Sequence, residues 1–287
     1  MAKIAWFGTG MMGSGFVEAL LRRGERVAVW NRTPEKTRLL EALGATGFAD
    51  PSEAARGADR IHIMLSDDAA VDALLDRIAS AIAPSAIVID HTTVAPRPTA
   101  ARFERCERES IAFLHAPVFM SPQMTREGKG IMLCSGPAER FERARSFLAA
   151  MTADLWYVGE RTDKAAALKL FGNQMIFFIT AGLADGFALT RSVDLPPREA
   201  FELFSHFKPA ATIDFRGKKI AEGDFSSSFD LTMARKDARL MLETAQAGDV
   251  ELHVLPAIAK WMDETIERGY GDRDLAVLGA DAVPVRA

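Results

Sequence analysis

The feature that most restricts the fold of this chain is a glycine-rich turn near its N-terminus. A short apolar run at residues 3–7 precedes Gly8-Thr9-Gly10-Met11-Met12-Gly13, and a helical pattern follows that ends near Gly24. In such a unit the first glycine permits a tight turn, the second lets a pyrophosphate approach the backbone, and the third lets helix and strand pack closely. Because the motif lies between a strand and a helix, it predicts a dinucleotide site formed by these six residues.

The next 150 residues alternate between strand-like and helix-like patterns. Strands are predicted at residues 26–30, 60–65, 86–90, 111–115, 131–135 and 155–158, and helices at residues 34–43, 68–82 and 137–151. This alternation predicts a parallel, doubly wound sheet of the Rossmann type, in which ligands bind beyond the carboxyl ends of the strands.

The end of the second strand carries an arginine where an NAD-binding chain usually has a carboxylate. The residues there are Asn31, Arg32 and Thr33. A guanidinium can bind a ribose 2′-phosphate through a forked, charge-assisted contact, so we expect NADP(H) to be preferred and NAD(H) to remain possible. The alternative is that Arg32 is a solvated surface charge and that Glu35 contacts the ribose hydroxyls.

Two further strand ends belong to the same edge of the predicted sheet. Met64-Leu65-Ser66 is expected to line the adenosine and ribose part of the cofactor. Asp90-His91-Thr92-Thr93 is rich in hydroxyl groups and is expected to meet substrate or nicotinamide through Thr93. The alternative for these threonines is helix capping ahead of Pro96, since threonine is a good N-cap residue.

A long apolar segment, residues 164–195, follows the alternating region and reads as a buried helix. Lys169 and Asn173 are four residues apart in it, so on a helix they share a face, about 5–6 Å apart at Cβ. The alternative is a lysine that reaches solvent and an ordinary buried amide. The apolarity of the helix predicts that its own domain or a second subunit covers it, and hence a homodimer or higher homo-oligomer.

Composition excludes several classes of partner. The net charge is -4 without a basic block, so no nucleic-acid surface is expected. The most apolar part of the central segment, residues 175–184, is shorter than the roughly 20 residues of a membrane span, and the N-terminus lacks a signal-peptide layout. Cys106 and Cys134 lack metal-ligand spacing, which favours a reducing cytoplasmic compartment without metal or disulfide.

The motifs above, taken together and in this order, resemble the signatures of the β-hydroxyacid dehydrogenase family. The set is completed by Ala116-Pro117-Val118 and by the C-terminal run from Phe229 to Asp237. The resemblance implies an NADP-binding Rossmann domain over residues 1–163 and an all-helical substrate and dimerisation domain over residues 164–287, joined by the long central helix. It also implies interconversion of a small hydroxy acid and its aldehyde or keto acid.

The same resemblance implies a role for individual residues. Lys169 would be the catalytic acid/base, and Asn173 would help to hold the substrate. Thr93 would bind substrate or nicotinamide, and Phe229 and Lys236 would approach the cofactor, with Lys236 also near the substrate.

The chain departs from the family in the loop after Val118. Relatives commonly have Ser-Gly-Gly or Ser-Gly-Ser there and use its backbone amides for a substrate carboxylate, whereas this chain has Phe119-Met120-Ser121. These residues predict a narrower or more apolar substrate pocket. Two alternative functions stay open: an imine reductase of the same fold, and a non-catalytic NADP(H)-binding protein. Retention of Lys169, Asn173 and Lys236 argues against the second.

Overall fold

The computed structural model describes residues 3–283. The chain divides into two compact units, the first ending at Gln174 and the second beginning at Met175. The division falls inside one long helix, which starts at Lys164. The predicted boundary between residues 163 and 164 stays a prediction.

A nine-stranded sheet forms the centre of the first unit. Its strands are β1 (Lys3–Phe7), β2 (Arg26–Trp30), β3 (Thr46–Gly47), β4 (Arg60–Ile63), β5 (Ile87–Asp90), β6 (Ala112–His115), β7 (Val118–Phe119), β8 (Ile131–Ser135) and β9 (Asp154–Gly159). The order is β3-β2-β1-β4-β5-β6-β8-β7, and β9 pairs with β8. The first six strands of this order are parallel, as predicted, while β8 is antiparallel to β6 and β7.

Helices cover both faces of this sheet. Those of the first unit are α1 (Met11–Arg22), α2 (Arg38–Ala42), α3 (Pro51–Ala55), α4 (Asp68–Ile78), α5 (Pro96–Arg108), α6 (Pro122–Glu127) and α7 (Ala138–Ala149). Alternate residues of β1 enter two separate cores: Ile4 and Trp6 pack on one face, Ala5 and Phe7 on the other. Strands buried on both faces must be apolar throughout, which explains why these strands read as continuous apolar runs.

One predicted helix of the first unit is interrupted. Residues 34–43 form a 3₁₀ turn at Pro34–Lys36 and then the short helix α2. Proline begins the turn, where its missing N–H is tolerated, and the Thr37 hydroxyl bonds the Pro34 carbonyl. That bond belongs to a turn rather than to a continuous helix.

The second unit is helical in the residues that the structure describes. It contains most of α8 (Lys164–Arg191), followed by α9 (Pro197–His206), α10 (Ala211–Glu222), α11 (Leu231–Ala247) and α12 (Leu255–Thr265). Asp185 of α8 accepts the N–H groups of His253, Val254 and Leu255 at 2.8–2.9 Å, at the start of α12. A carboxylate satisfies these otherwise unpaired donors and fixes α12 to α8.

The prediction that α8 is a buried helix is wrong for a single copy of the chain. Ile176, Phe177, Phe178 and Ile179 are 50–67% exposed. Consecutive helical residues point in directions about 100° apart, so these four residues show that the middle of the helix is uncovered on nearly all sides. By length and composition, α8 also meets the criteria for a membrane-spanning helix.

Candidate functional site

The glycine turn between β1 and α1 has the geometry that the sequence predicts. Gly8 has φ +96°, and a Cβ there would lie 2.0 Å from the Met64 carbonyl oxygen. A Cβ on Gly13 would lie 2.0 Å from the Gly8 carbonyl oxygen. A Cβ on Gly10, the N-cap of α1, would meet no heavy atom within 4 Å, so this backbone is open to a ligand. The unpaired N–H groups at the start of α1 suit a phosphate.

A cavity of about 720 Å³ lies over this turn, within the first unit. It is lined by most of the residues that the sequence singled out in this unit: Gly8, Gly10, Met11, Met12, Gly13, Asn31, Arg32, Thr33, Met64, Leu65, Ser66, Thr93, Met120 and Lys169. Thr9, Phe119, Ser121 and Asn173 are not among the lining residues. The lining also includes His91, Thr92 and Val118, which belong to the motifs that the sequence analysis singled out. The sequence reasoning missed six further lining residues: Trp30, Lys36, Ala70, Ala73, Leu74 and Arg77.

Three of the lining residues form a basic end of the cavity. Arg32 and Lys36 come from the segment after β2, and Arg77 comes from α4. The Arg77 guanidinium lies 5.4 Å from the Trp30 ring centroid and 3.5 Å from an Asp50 carboxylate oxygen. The competing candidate, Glu35, is exposed and is not among the lining residues. This charge distribution suits a phosphate group better than free ribose hydroxyls.

Asn31 connects the basic end to the glycine turn. Its Oδ1 accepts the Thr9 N–H at 3.0 Å, and its Nδ2 donates to the Thr33 carbonyl at 3.0 Å. The buried Thr9 therefore serves the turn through its backbone. Asn31 holds the turn and the 31–33 segment in one arrangement.

Three polar contacts hold Thr92 in place, and both Thr92 and its neighbour Thr93 line the cavity. The Thr92 N–H donates to Asp90 Oδ1 at 2.9 Å, the Thr92 hydroxyl accepts the Leu65 N–H at 3.0 Å, and the Thr92 carbonyl lies 3.0 Å from His115 Nε2. Burial raises the pKa of Asp90 to about 6. The hydrogen bonds of Thr92 thus join the strand end at residues 90–93 to the strand end at residues 63–66.

His91, which precedes Thr92, belongs to a buried stack of aromatic rings. Trp6 donates its indole N–H to the Gly8 carbonyl at 3.0 Å and stacks on His62 and His91. His62 Nδ1 lies 2.9 Å from His91 Nε2, and His91 Nδ1 lies 2.7 Å from the Ala116 carbonyl. Burial lowers the pKa of His91 to about 4, so it is neutral near pH 7. The stack supports the glycine turn.

Lys169 of α8 is the buried cation of the cavity. It is only 8% exposed, and its Nζ donates to Asn173 Oδ1 at 2.9 Å, one helical turn further along. Burial lowers the pKa of Lys169 to about 8. Both the ammonium and the neutral amine are therefore populated at a pH near neutrality, which a proton-transferring group requires.

An aromatic ring covers one side of this lysine. The Phe119 centroid lies 4.0 Å from Lys169 Nζ. Ser121 is engaged as the N-cap of α6, since its hydroxyl accepts the Met124 N–H. Neither Phe119 nor Ser121 lines the cavity: Phe119 contacts Lys169, and Ser121 caps α6.

The remaining predicted residues, Phe229 and Lys236, lie in the second unit. The Phe229 N–H donates to Asp274 Oδ2 at 3.2 Å, and Lys236 Nζ lies 2.9 Å from Asp237 Oδ1. Both side chains are partly exposed within that unit.

Two family models match the chain. Residues 3–159 match the NAD binding domain of 6-phosphogluconate dehydrogenase. Residues 164–279 match the NAD-binding domain of NADP-dependent 3-hydroxyisobutyrate dehydrogenase. Together the models account for nearly all of the chain and confirm the resemblance seen in its motifs.

Similar proteins agree with this assignment. The chain is 27% identical over 280 residues to the uncharacterized oxidoreductase YfjR of Bacillus subtilis, covering 96% of this chain and 98% of that protein. It is 28% identical over 279 residues to the chloroplastic glyoxylate/succinic semialdehyde reductase 2 of Arabidopsis thaliana, covering 96% and 78%. The solved imine reductase of Myxococcus stipitatus in complex with NADP+ has the same fold, with a TM-score of 0.89, 21% identity and coverage of 96% and 98%. The chain belongs to the β-hydroxyacid dehydrogenase family of NAD(P)-binding oxidoreductases.

Proposed function

We propose that this protein is an NADP(H)-dependent reductase of small carbonyl compounds, with Lys169 as its acid/base. The observation that carries the proposal is a buried lysine with a pKa of about 8 at the wall of a cavity that begins at a dinucleotide-binding turn. The family and the similar oxidoreductases support this reaction class.

The residues of the cavity fit the proposed cofactor. The open backbone at Gly10 and the start of α1 would hold the pyrophosphate. Arg32, with Lys36 and Arg77 beside it, would hold the 2′-phosphate. When bound, the nicotinamide supplies or accepts the hydride.

The protein's own contribution is proton transfer and orientation. The Lys169 ammonium stabilises negative charge as it develops on the carbonyl oxygen and donates the proton to that oxygen. Asn173 accepts a hydrogen bond from Nζ and so limits the directions in which the ammonium can point. Thr93, kept at the cavity by the fixed Thr92, offers a hydroxyl to orient the substrate. In the oxidative direction the neutral amine accepts the alcohol proton.

A panel of substrates tests the proposal. NADPH oxidation by the purified protein is followed with glyoxylate, succinic semialdehyde, the methyl ester of succinic semialdehyde and one cyclic imine, with NADH in parallel. The proposal expects turnover of at least one aldehyde and a preference for NADPH. Turnover of the imine alone would instead support an imine reductase, and tight NADPH binding without any turnover would support a non-catalytic binding protein.

We further propose that a second copy of the chain covers α8. Apolar side chains are exposed around this helix and also on α9 and α10, where Phe201, Phe207 and Phe215 are 51–61% exposed. Burial of each such side chain is worth roughly 1.5–3 kcal/mol. Charged residues are costly in a membrane span, and α8 contains two buried ones, Lys169 and Asp185.

Cys106 and Cys134 are both free and buried, which agrees with the proposed cytoplasmic location.

Replacing Phe177 by glutamate is expected to separate the dimer, because the charge would have to enter an apolar interface. Sedimentation velocity should give twice the chain mass of 31.3 kDa for the wild-type protein and the chain mass for the variant. Leu39→Glu is the matched control, since Leu39 is 79% exposed on α2, and it should stay dimeric. A monomeric wild type, or one that binds lipid vesicles through α8, would contradict the proposal.

A further inference from the structure

We propose that Phe119 makes this site selective for a neutral aldehyde or ketone over the carboxylate-bearing analogue of the same skeleton. The inference rests on the proposed function of Lys169 as the acid/base, and it names the substrate class of that same site. Four observations within the first unit carry it.

First, the Phe119 ring occupies one side of Lys169, the buried lysine of the cavity. Its centroid lies 4.0 Å from Lys169 Nζ, which is within the range of a cation–π contact. Asn173 Oδ1 occupies a second direction at 2.9 Å. Lys169 also lines the cavity, where Nζ can donate to the carbonyl oxygen that it must protonate.

Second, the helix is shaped to receive this ring. A Cβ on Gly172 would lie 2.4 Å from Phe119 Cζ and 2.8 Å from Cε1. Real Cβ atoms do not approach other atoms so closely, so only glycine at position 172 allows the ring this position. Gly172 is three residues after Lys169, on the same part of α8. The Phe119 ring therefore packs directly on the helix backbone beside Lys169.

Third, polar groups of the segment that carries Phe119 already have partners within the protein. Phe119 lies in β7, where it pairs with Ile131 of β8. The Ser121 N–H lies 3.5 Å from Met124 Sδ, and the Ser121 hydroxyl accepts the Met124 N–H. Gly130 packs on this loop, since a Cβ there would lie 2.7 Å from the Phe119 carbonyl oxygen and 2.8 Å from Met120 Cγ.

Fourth, the side chains that this loop presents to the cavity are apolar. Val118 and Met120 line it, while the other lysine and the arginines of the lining belong to the segment after β2 and to α4. An ionised carboxylate is stable in a buried site only where donors or cations replace its water. Beside Val118 and Met120 a carboxylate would meet apolar side chains, and the Phe119 ring takes up one side of Lys169, whereas an alkyl chain or an ester finds a suitable surface.

A matched pair of substrates tests this inference. Succinic semialdehyde and its methyl ester share one skeleton and differ in charge. With NADPH, the wild-type protein is expected to have a kcat/KM at least about tenfold higher for the ester. Phe119→Ser should shift the ratio toward the acid by about tenfold or more, because it removes the ring and offers a hydroxyl. Phe119→Leu keeps an apolar wall and should keep the preference for the ester.

The outcomes separate this inference from the proposed function. If the wild-type protein prefers the acid, or if Phe119→Ser leaves the ratio unchanged, the inference is overturned while the reductase assignment stands. If neither aldehyde is reduced by protein that binds NADPH tightly, the reductase assignment fails and the inference fails with it. The ratio of kcat/KM for the ester and the acid in the wild-type protein tests the inference even if a variant does not fold.

Thermal unfolding of the protein alone provides a second readout. Alanine normally stabilises a helix relative to glycine. Gly172→Ala should nevertheless lower the Tm, by roughly 2 °C, because the Phe119 ring must shift to admit its Cβ. In the Phe119→Ser background the same change should raise the Tm or leave it unchanged. An equal loss in both backgrounds would show that the ring does not occupy this position and would overturn the inference.

Discussion

Replacing Lys169 by alanine lowers the turnover of NADPH-dependent aldehyde reduction by on the order of 100-fold or more and leaves NADPH affinity nearly unchanged. The variant loses both the ammonium that stabilises the developing oxyanion and the proton donor. Stopped-flow or steady-state NADPH oxidation measures the turnover, and fluorescence titration with NADPH measures the affinity. Because Nζ lies at the wall of the cavity, its removal should spare the phosphate contacts.

Lys164→Ala is the matched control for this variant. Lys164 begins the same helix but is exposed, so the same loss of charge there should leave turnover near the wild-type value. Asn173→Ala should fall between the two, since it removes the acceptor that directs Nζ and leaves the amine in place. Wild-type turnover in Lys169→Ala would end the acid/base proposal.

Replacing Arg32 by alanine weakens NADPH binding by about tenfold or more and leaves NADH binding nearly unchanged. A guanidinium that holds the 2′-phosphate contributes only to the phosphorylated cofactor, so the ratio of the two dissociation constants is the informative quantity. Arg32 is exposed to solvent, which limits the effect through screening, and Lys36 and Arg77 at the same end of the cavity retain part of the attraction.

Arg38→Ala is the matched control for the cofactor experiment. Arg38 is exposed at the start of α2 and is not among the residues that line the cavity. The loss of one positive charge there should reduce NADPH affinity little. An equal loss of NADPH and NADH affinity in Arg32→Ala would refute the proposal that Arg32 binds the 2′-phosphate. It would favour the alternative, in which Glu35 contacts the ribose hydroxyls.

Local patterns were sufficient to predict most of the first unit. The strands at residues 26–30 and 131–135 have the predicted bounds, because an apolar run determines each of them locally. The helix at residues 211–222 was not predicted. It contains Gly217, and glycine is unfavourable in the interior of a helix.

The same local patterns identified the cavity residues that lie in recognisable motifs. They did not identify the residues that only folding brings close to those motifs. Lys36 reaches the lining because the chain turns at Pro34–Lys36. Arg77 reaches it because residues 70, 73, 74 and 77 form one face of α4. The helical spacing of those four residues was a usable signal, but only knowledge of the strand order shows that this face meets β2.

Two further features depend on three-dimensional contacts that sequence spacing does not reveal. The position of the Phe119 ring over Lys169 requires the space that Gly172 leaves, 53 residues further along the chain. The exposure of α8 could not be predicted, because an apolar helix has the same composition whether its own chain or a second copy covers it.

The pH dependence of kcat/KM for aldehyde reduction tests the role of Lys169 most directly, since kcat/KM reports the groups of the free enzyme. Reduction needs the ammonium, and burial gives Lys169 a pKa of about 8. The kcat/KM for reduction should therefore be level below about pH 8 and fall tenfold per pH unit above it. The kcat/KM for alcohol oxidation should instead rise tenfold per pH unit up to about pH 8 and be level above it. The residual activity of Lys169→Ala should lack this descending limb. The same limb in Lys169→Ala, or a wild-type profile that stays level to pH 10, would contradict the account.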